Sequence, residues 1–235
     1  MGNNVTLKNL NLINGNSSVG GATIGNKLMN FENVTFTNNH GEFGASIATS
    51  GDANINNCIF TNNHAARGDV YIEDKGLVNI KDSVFANMTG LTFSIIYAGE
   101  NGGLNISDCA FVNSTAKYAT AIYSERETII NGSYFINLNA KMTGGAVAFK
   151  GENYVIISDT EFINTSAEKN GGAIFSDISD GTIFMLNNVT IFNASGDFGG
   201  AICHLGGTLI ISNSTLAQNT AEYDGGAIYI YQMQI

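Results

Sequence analysis

Bulky apolar residues return along this chain at a nearly fixed interval. Phe36, Phe60, Phe85, Phe111, Phe135 and Phe162 follow one another at steps of 24, 25, 26, 24 and 27 residues, and Leu12, Ile191 and Leu216 continue the series at its two ends. Five positions before each of these anchors stands a second apolar column: Leu7, Phe31, Ile55, Ile80, Ile106, Ile130, Ile157, Leu186 and Ile211. A third segment opens with Gly-Gly-Ala-Ile or a variant, its Ala-Ile ten to twelve residues after the anchor, as at Gly144-Gly145-Ala146-Val147, Gly171-Gly172-Ala173-Ile174, Gly199-Gly200-Ala201-Ile202 and Gly225-Gly226-Ala227-Ile228. A fixed period of about 25 residues marks a repeat architecture, and apolar runs this short, separated by Gly, Asn and Asp, cannot be helical pairs. The pattern predicts an all-β chain. It is a right-handed, single-stranded parallel β-helix with three short strands per turn and about nine turns, residues 1–235 forming one domain.

In such a coil, equivalent residues of successive turns stack about 4.8 Å apart. Two positions after the early apolar residue come Asn9, Asn33, Asn57, Asp82, Asp108, Gly132, Asp159, Asn188 and Asn213, residue types that tolerate a left-handed bend. Two positions after the anchor come Asn14, Asn38, Asn62, Asn87, Asn113, Asn137, Asn164 and Asn193, with Gln218 ending the column. This second column is expected to form an internal ladder of hydrogen bonds. Its Asn-x-Ser/Thr members Asn87, Asn113, Asn164 and Asn193 are then inaccessible to glycosylation. Alternation also turns inward the residue two before the anchor: Leu10, Val34, Cys58, Ser83, Cys109, Ser133, Thr160, Val189 and Ser214. Cys58 and Cys109 share that column two turns apart, so about 9.6 Å separates them, too far for a disulfide. With Cys203 in another column, all three thiols read as small core residues.

Composition fits this picture. The chain has 32 asparagines, 28 glycines and no proline, as expected where bends need left-handed residues and ladders need every backbone donor. Net charge is -10, which excludes a nucleic-acid surface. No apolar stretch reaches the length of a membrane span, and Met1-Gly2-Asn3-Asn4 has neither the basic nor the apolar part of a signal peptide. No cofactor or metal motif stands out. His40 and His64 occupy one column with no carboxylate or thiol, which reads as a solvated pair.

Candidate chemistry lies in segments of variable length. Carbohydrate lyases and polygalacturonases share the β-helix and carry clustered acids on one face. Here the acids group as Asp69, Glu73 and Asp74, as Glu125 and Glu127 around Arg126, and as Asp177 and Asp180. Each group lies within one loop, so the chain is not expected to be an enzyme. Variable loops on a rigid scaffold are where recognition resides. The candidate binding residues are Glu73, Asp74, Glu100, Asn101, Glu125, Arg126, Glu127, Glu152, Tyr154, Asp177 and Asp180, with Phe43, Tyr118, Phe198 and Tyr223 recurring on another bend.

Gly-Gly-Ala-Ile combined with Phe36-Thr37-Asn38-Asn39 and Phe60-Thr61-Asn62-Asn63 resembles the repeats of chlamydial polymorphic outer membrane proteins; later repeats keep Phe-x-Asn. The Asn- and Thr-rich, acidic, proline-free background is similar to adhesin-like proteins of methanogenic archaea. The resemblance implies surface display and adhesion. The function expected is therefore that of an extracellular adhesin segment, binding a glycan or protein on another cell. The alternatives are a carbohydrate-active β-helix enzyme, lyase or hydrolase-like, and a structural spacer. Neither end carries a capping element, so the chain is expected to continue at both ends.

Overall fold

The computed structural model describes residues 4–93, 95–152 and 154–231; of the N-terminal tetrapeptide only Asn4 lies among them. The third segments form a nine-stranded parallel sheet, one strand per turn, from Thr23–Gly25 through Val70–Ile72, Ile96–Ala98 and Ile122–Ser124 to Ile228–Tyr231. Register follows the repeat: Leu12 pairs with Phe36, Phe36 with Phe60, and the series runs through to Ile191 and Leu216. The chain is a β-solenoid of parallel strands.

The anchor rings stack along the axis at centroid distances of 4.6, 4.4, 4.9, 4.8 and 4.6 Å from Phe36 to Phe162, with nearly parallel planes. Ile, Val and Leu of the other inward columns close around them. All three cysteines are free and buried. Burial raises their thiol pKa values, that of Cys109 to about 12. Cys58 and Cys109 donate from Sγ to the carbonyls of Asn56 and Ser107, as Ser83 and Ser133 do from Oγ to Lys81 and Asn131.

Both Asn columns are left-handed corners. Positive φ runs from 49° to 61° in the column of Asn9 to Asn213, and from 51° to 58° in the column of Asn14 to Gln218. A third corner falls at the Gly-Gly pair, whose members have different duties. The first takes positive φ, as Gly171 (66°) and Gly199 (70°) do. The second lets adjacent turns touch: a Cβ at Gly145 would lie 1.9 Å from the Gly172 carbonyl oxygen, and at Gly200 2.2 Å from that of Gly226.

The structure makes two additions to the expected plan. A further stretch of strand, such as His40–Phe43 or His64–Arg67, lies between anchor and third segment and pairs from turn to turn. And the column of Asn14, Asn38, Asn62, Asn87, Asn113, Asn137, Asn164 and Asn193 is exposed, not internal. It does form a side-chain ladder, with Asn137 donating to Asn113, Asn164 to Asn137 and Asn193 to Asn164, but on the outside of the corner. Asn87, Asn113, Asn164 and Asn193 are therefore open to solvent, contrary to the expected inaccessibility.

The internal position is one residue later. A left-handed residue redirects the backbone, so the N–H that follows it points inward without a strand partner. A side chain from the next turn accepts it: Asn39 Oδ1 takes Gly15 N–H, Asn63 Oδ1 takes Asn39 N–H, Ser114 Oγ takes Met88 N–H and Asn219 Oδ1 takes Ala194 N–H. The first corner works the same way, where Ser83 Oγ takes Cys58 N–H and Ser133 Oγ takes Cys109 N–H. Small polar residues are inside because each corner has an inward amide to satisfy.

Candidate binding face

The outer side of the third sheet carries the most distinctive surface. Between two inward residues, each third strand presents one outward side chain, and the register stacks them as Ile24, Ala48, Tyr71, Tyr97, Tyr123, Ala148, Phe175, Cys203 and Tyr229. Tyr71, Tyr97 and Tyr123 form a stack with centroids 5.1 and 5.6 Å apart and planes within 10° and 5°. Phe93 leans on Tyr97 and Tyr123 at 5.2 and 4.2 Å, and Phe43 meets Tyr71 edge-to-face at 5.2 Å. Parallel planes along the axis cover the faces of the middle ring, leaving edges and hydroxyls toward solvent. The Tyr123 hydroxyl donates to Glu125 Oε1 at 2.7 Å. Burial, then that carboxylate, pushes its pKa upward; burial does the same for Tyr97. These phenols stay protonated as donors.

This column is absent from the candidates read off the sequence. Its signal was available: Val70-Tyr71-Ile72, Ile96-Tyr97-Ala98 and Ile122-Tyr123-Ser124 repeat at steps of 26. Of the bend aromatics that were singled out, Phe43, Tyr118 and Phe198 are partly buried against neighbouring rings, and Tyr223 is exposed.

The predicted loop residues line one edge beside this column, one loop per turn. Glu100, Asn101, Glu125 and Glu152 come together with Lys150 and Ser179 around a groove of about 540 Å³. Lys150 sits 3.6 Å from Asp177, both half exposed. Tyr154 donates to Glu127. Glu73, Asp74 and Asp180 are exposed on the same edge. A separate groove of about 680 Å³ lies near the last turns, where Lys169 Nζ bonds Asp197 Oδ2 at 2.9 Å with Glu222 and Tyr223 alongside.

Arg126 is a correction. It is 1% exposed, and its guanidinium donates to the carbonyls of Gly99 (2.7 Å), Gly76 (3.1 Å) and Asp74 (3.2 Å). It ties its turn to the two preceding ones and offers nothing to a ligand. Burial lowers its pKa to about 10, a range in which it remains charged. Its loop position gave no hint of this, because the three carbonyls converge only in the coil.

Asp69 is a second correction, since it lies inside rather than in an exposed acidic loop. Its carboxylate accepts from Ser46 Oγ (2.7 Å) and Asn63 Nδ2 (3.3 Å), yet desolvation outweighs both and raises its pKa to about 7. The folded protein therefore holds a proton there that the unfolded chain has released, between about pH 4 and pH 7. The stabilisation is complete below the lower value and is lost as pH rises through the upper one. Relative to Asp69→Asn, the wild type is expected to lose roughly 1.4 kcal/mol per pH unit across the middle of that window, read from urea midpoints. Parallel pH profiles for the two proteins would refute this. The difference isolates Asp69 from His204, whose pKa burial shifts the opposite way.

His40 and His64 lie 5.8 Å apart with their rings tilted by 45°, and His64 Nδ1 is 2.8 Å from Thr89 Oγ1. Among the described residues no group of three or more His, Cys, Asp or Glu could hold a metal ion. No helix of the described residues is long and apolar enough to cross a membrane.

Residues 213–231 match the Chlamydia polymorphic membrane protein repeat. The matched stretch is one turn of the coil, from the left-handed Asn213 through the anchor Leu216 and the inward Asn219 to Gly225-Gly226-Ala227-Ile228. This is a β-helix repeat protein similar to polymorphic membrane proteins. The physical content of that repeat is now visible: in Phe-x-x-Asn the asparagine is the inward acceptor of Asn39, Asn63 and Asn219, and Gly-Gly is the close-contact corner. A solenoid of such repeats fits a segment of a surface protein. No curated protein and no solved structure matches the chain.

Proposed function

We propose that this chain is a non-catalytic segment of an extracellular surface adhesin, a rigid rod that presents one side to a glycan or protein on another cell. The observation that carries this reading is the continuity of that side. Tyrosine edges and carboxylate-rich loops run together over successive turns, whereas the interior is sealed by stacked rings and satisfied amides. A recognition surface spread over repeats is the usual use of a solenoid.

The test is binding of the purified segment, displayed on beads, to a panel of cells. Capture is expected, with loss on replacing Glu100, Glu125 and Glu152 together by alanine and no loss for Asn137→Gly on a distant corner. Absence of capture on every surface would favour the spacer. Cleavage of acidic polysaccharides, abolished by Glu125→Gln, would replace the adhesin reading with an enzyme.

A further inference from the structure

The outer column of the third sheet is a stack of rings with a ring missing. Ala48 lies in register between Ile24 on the preceding turn and Tyr71 on the following one. Turns lie about 4.8 Å apart, so the neighbours of Ala48 stand about 9.6 Å apart at the backbone, room for a ring beside Phe43, which already meets Tyr71 edge-to-face at 5.2 Å. The space is a recess of about 320 Å³ whose lining includes Val19, Ile24, Ala48 and Tyr71 together with the polar Asn26 and Glu73. Ile24, on the first described turn, is 67% exposed and supplies an apolar wall. The same step from ring to small side chain recurs at Cys203, where a recess of about 240 Å³ opens beside Tyr229. Ala48, Ala148 and Cys203 are all nearly buried, 3%, 1% and 1% exposed, so each recess opens over the flanking side chains and touches its small residue only at the base.

We infer that the Ala48 recess binds a single neutral pyranose ring of a glycan. The inference deepens the adhesin reading and rests on it. A pyranose has one face of C–H bonds that lies well against the negative face of an aromatic ring, and a rim of hydroxyls. The recess offers the complement of both: apolar walls at Tyr71 and Ile24, and a carboxylate and an amide in its lining to accept from and donate to hydroxyls. An acyl chain would strip water from Glu73 and Asn26 with nothing in return. A uronic acid would set a second carboxylate beside Glu73 on a chain of net charge -10.

The experiment is saturation-transfer NMR with methyl hexopyranosides and methyl N-acetylhexosaminides as probes, and methyl glucuronide and tyrosine amide as comparators. Transfer is expected to ring C–H protons of a neutral glycoside and not to the glucuronide. Ala48→Tyr continues the stack and fills the recess, and is expected to abolish the transfer with the melting temperature kept. Ala48→Leu fills it by a different shape and serves should the first variant misfold. Tyr71→Ala is expected to weaken binding about tenfold, the scale of one lost ring contact. No transfer to any neutral glycoside, transfer that survives both filled variants, or preference for tyrosine amide would each overturn the inference. Cell capture is measured alongside: capture by a protein that takes up no glycoside sinks the recess and leaves the adhesin, whereas glycoside uptake without capture does the reverse.

Discussion

Phe85→Ala is expected to destabilise the protein by about 4–6 kcal/mol, the largest effect of any single truncation in the core. The ring is wholly buried and stacked on both faces, with Phe60 at 4.4 Å and 11° and Phe111 at 4.9 Å and 3°. Truncation therefore removes a large apolar side chain and two stacked pairs at once, in a narrow interior that cannot collapse because ladder bonds on either side hold the turns at fixed spacing. Solenoid stability is close to a sum of turn and interface terms, so the loss falls at one place along the rod. Urea unfolding followed by tyrosine fluorescence is expected to move to a lower midpoint and to broaden as the turns before and after residue 85 uncouple. A curve superimposable on that of the wild type would show that the ring column is not the core.

Asn63→Ala is expected to cost about 3–5 kcal/mol, although it removes only an amide. Asn63 Oδ1 accepts the inward Asn39 N–H at 2.8 Å, and its Nδ2 donates to the Phe36 carbonyl at 3.2 Å and to Asp69 Oδ2 at 3.3 Å. Alanine leaves the inward Asn39 N–H buried without its acceptor and takes one donor each from the buried Phe36 carbonyl and from Asp69, which keeps Ser46 Oγ. The comparison residue is Asn137, whose side chain bonds Asn113 and Asn164 on the exposed corner. Asn137→Gly keeps the left-handed backbone and exchanges those bonds for water, so a change below about 1 kcal/mol is expected. Equal losses for the two variants would mean that the exposed ladder, and not the inward acceptor, holds adjacent turns together.

The contrast between these asparagines marks where reading the letters stopped short. Both columns recur with the same period and the same residue type, so composition cannot separate them. Strict alternation from the anchor places Asn38 and Asn62 inside. The left-handed residue breaks alternation, and Asn39 and Asn63 take the inward place instead. The rule was nevertheless within reach, because the first corner uses the same offset: Asn57 bends and Cys58 points in, as Asn62 bends and Asn63 points in. For the binding face, the loop acids were legible as variable charged segments, whereas the tyrosine column was overlooked beside the more regular glycines that precede it.

What the chain determines by itself is the coil: a period set by the phenylalanine anchors, corners set by Asn, Asp and Gly, and close contacts set by the second glycine of each pair. These are local requirements repeated in register, and each can be met one turn at a time. Only the stacked structure decided the rest. Arg126 reaches carbonyls of Gly76 and Asp74, fifty or more positions away, and Asp69 meets Ser46 from the turn before and Asn63 six positions back in its own turn, so charged letters in variable loops became interior groups. The recess at Ala48 likewise exists only because Ile24 and Tyr71 flank it across turns. Contacts of that kind depend on which turn lies next to which side chain, and a period alone does not record it.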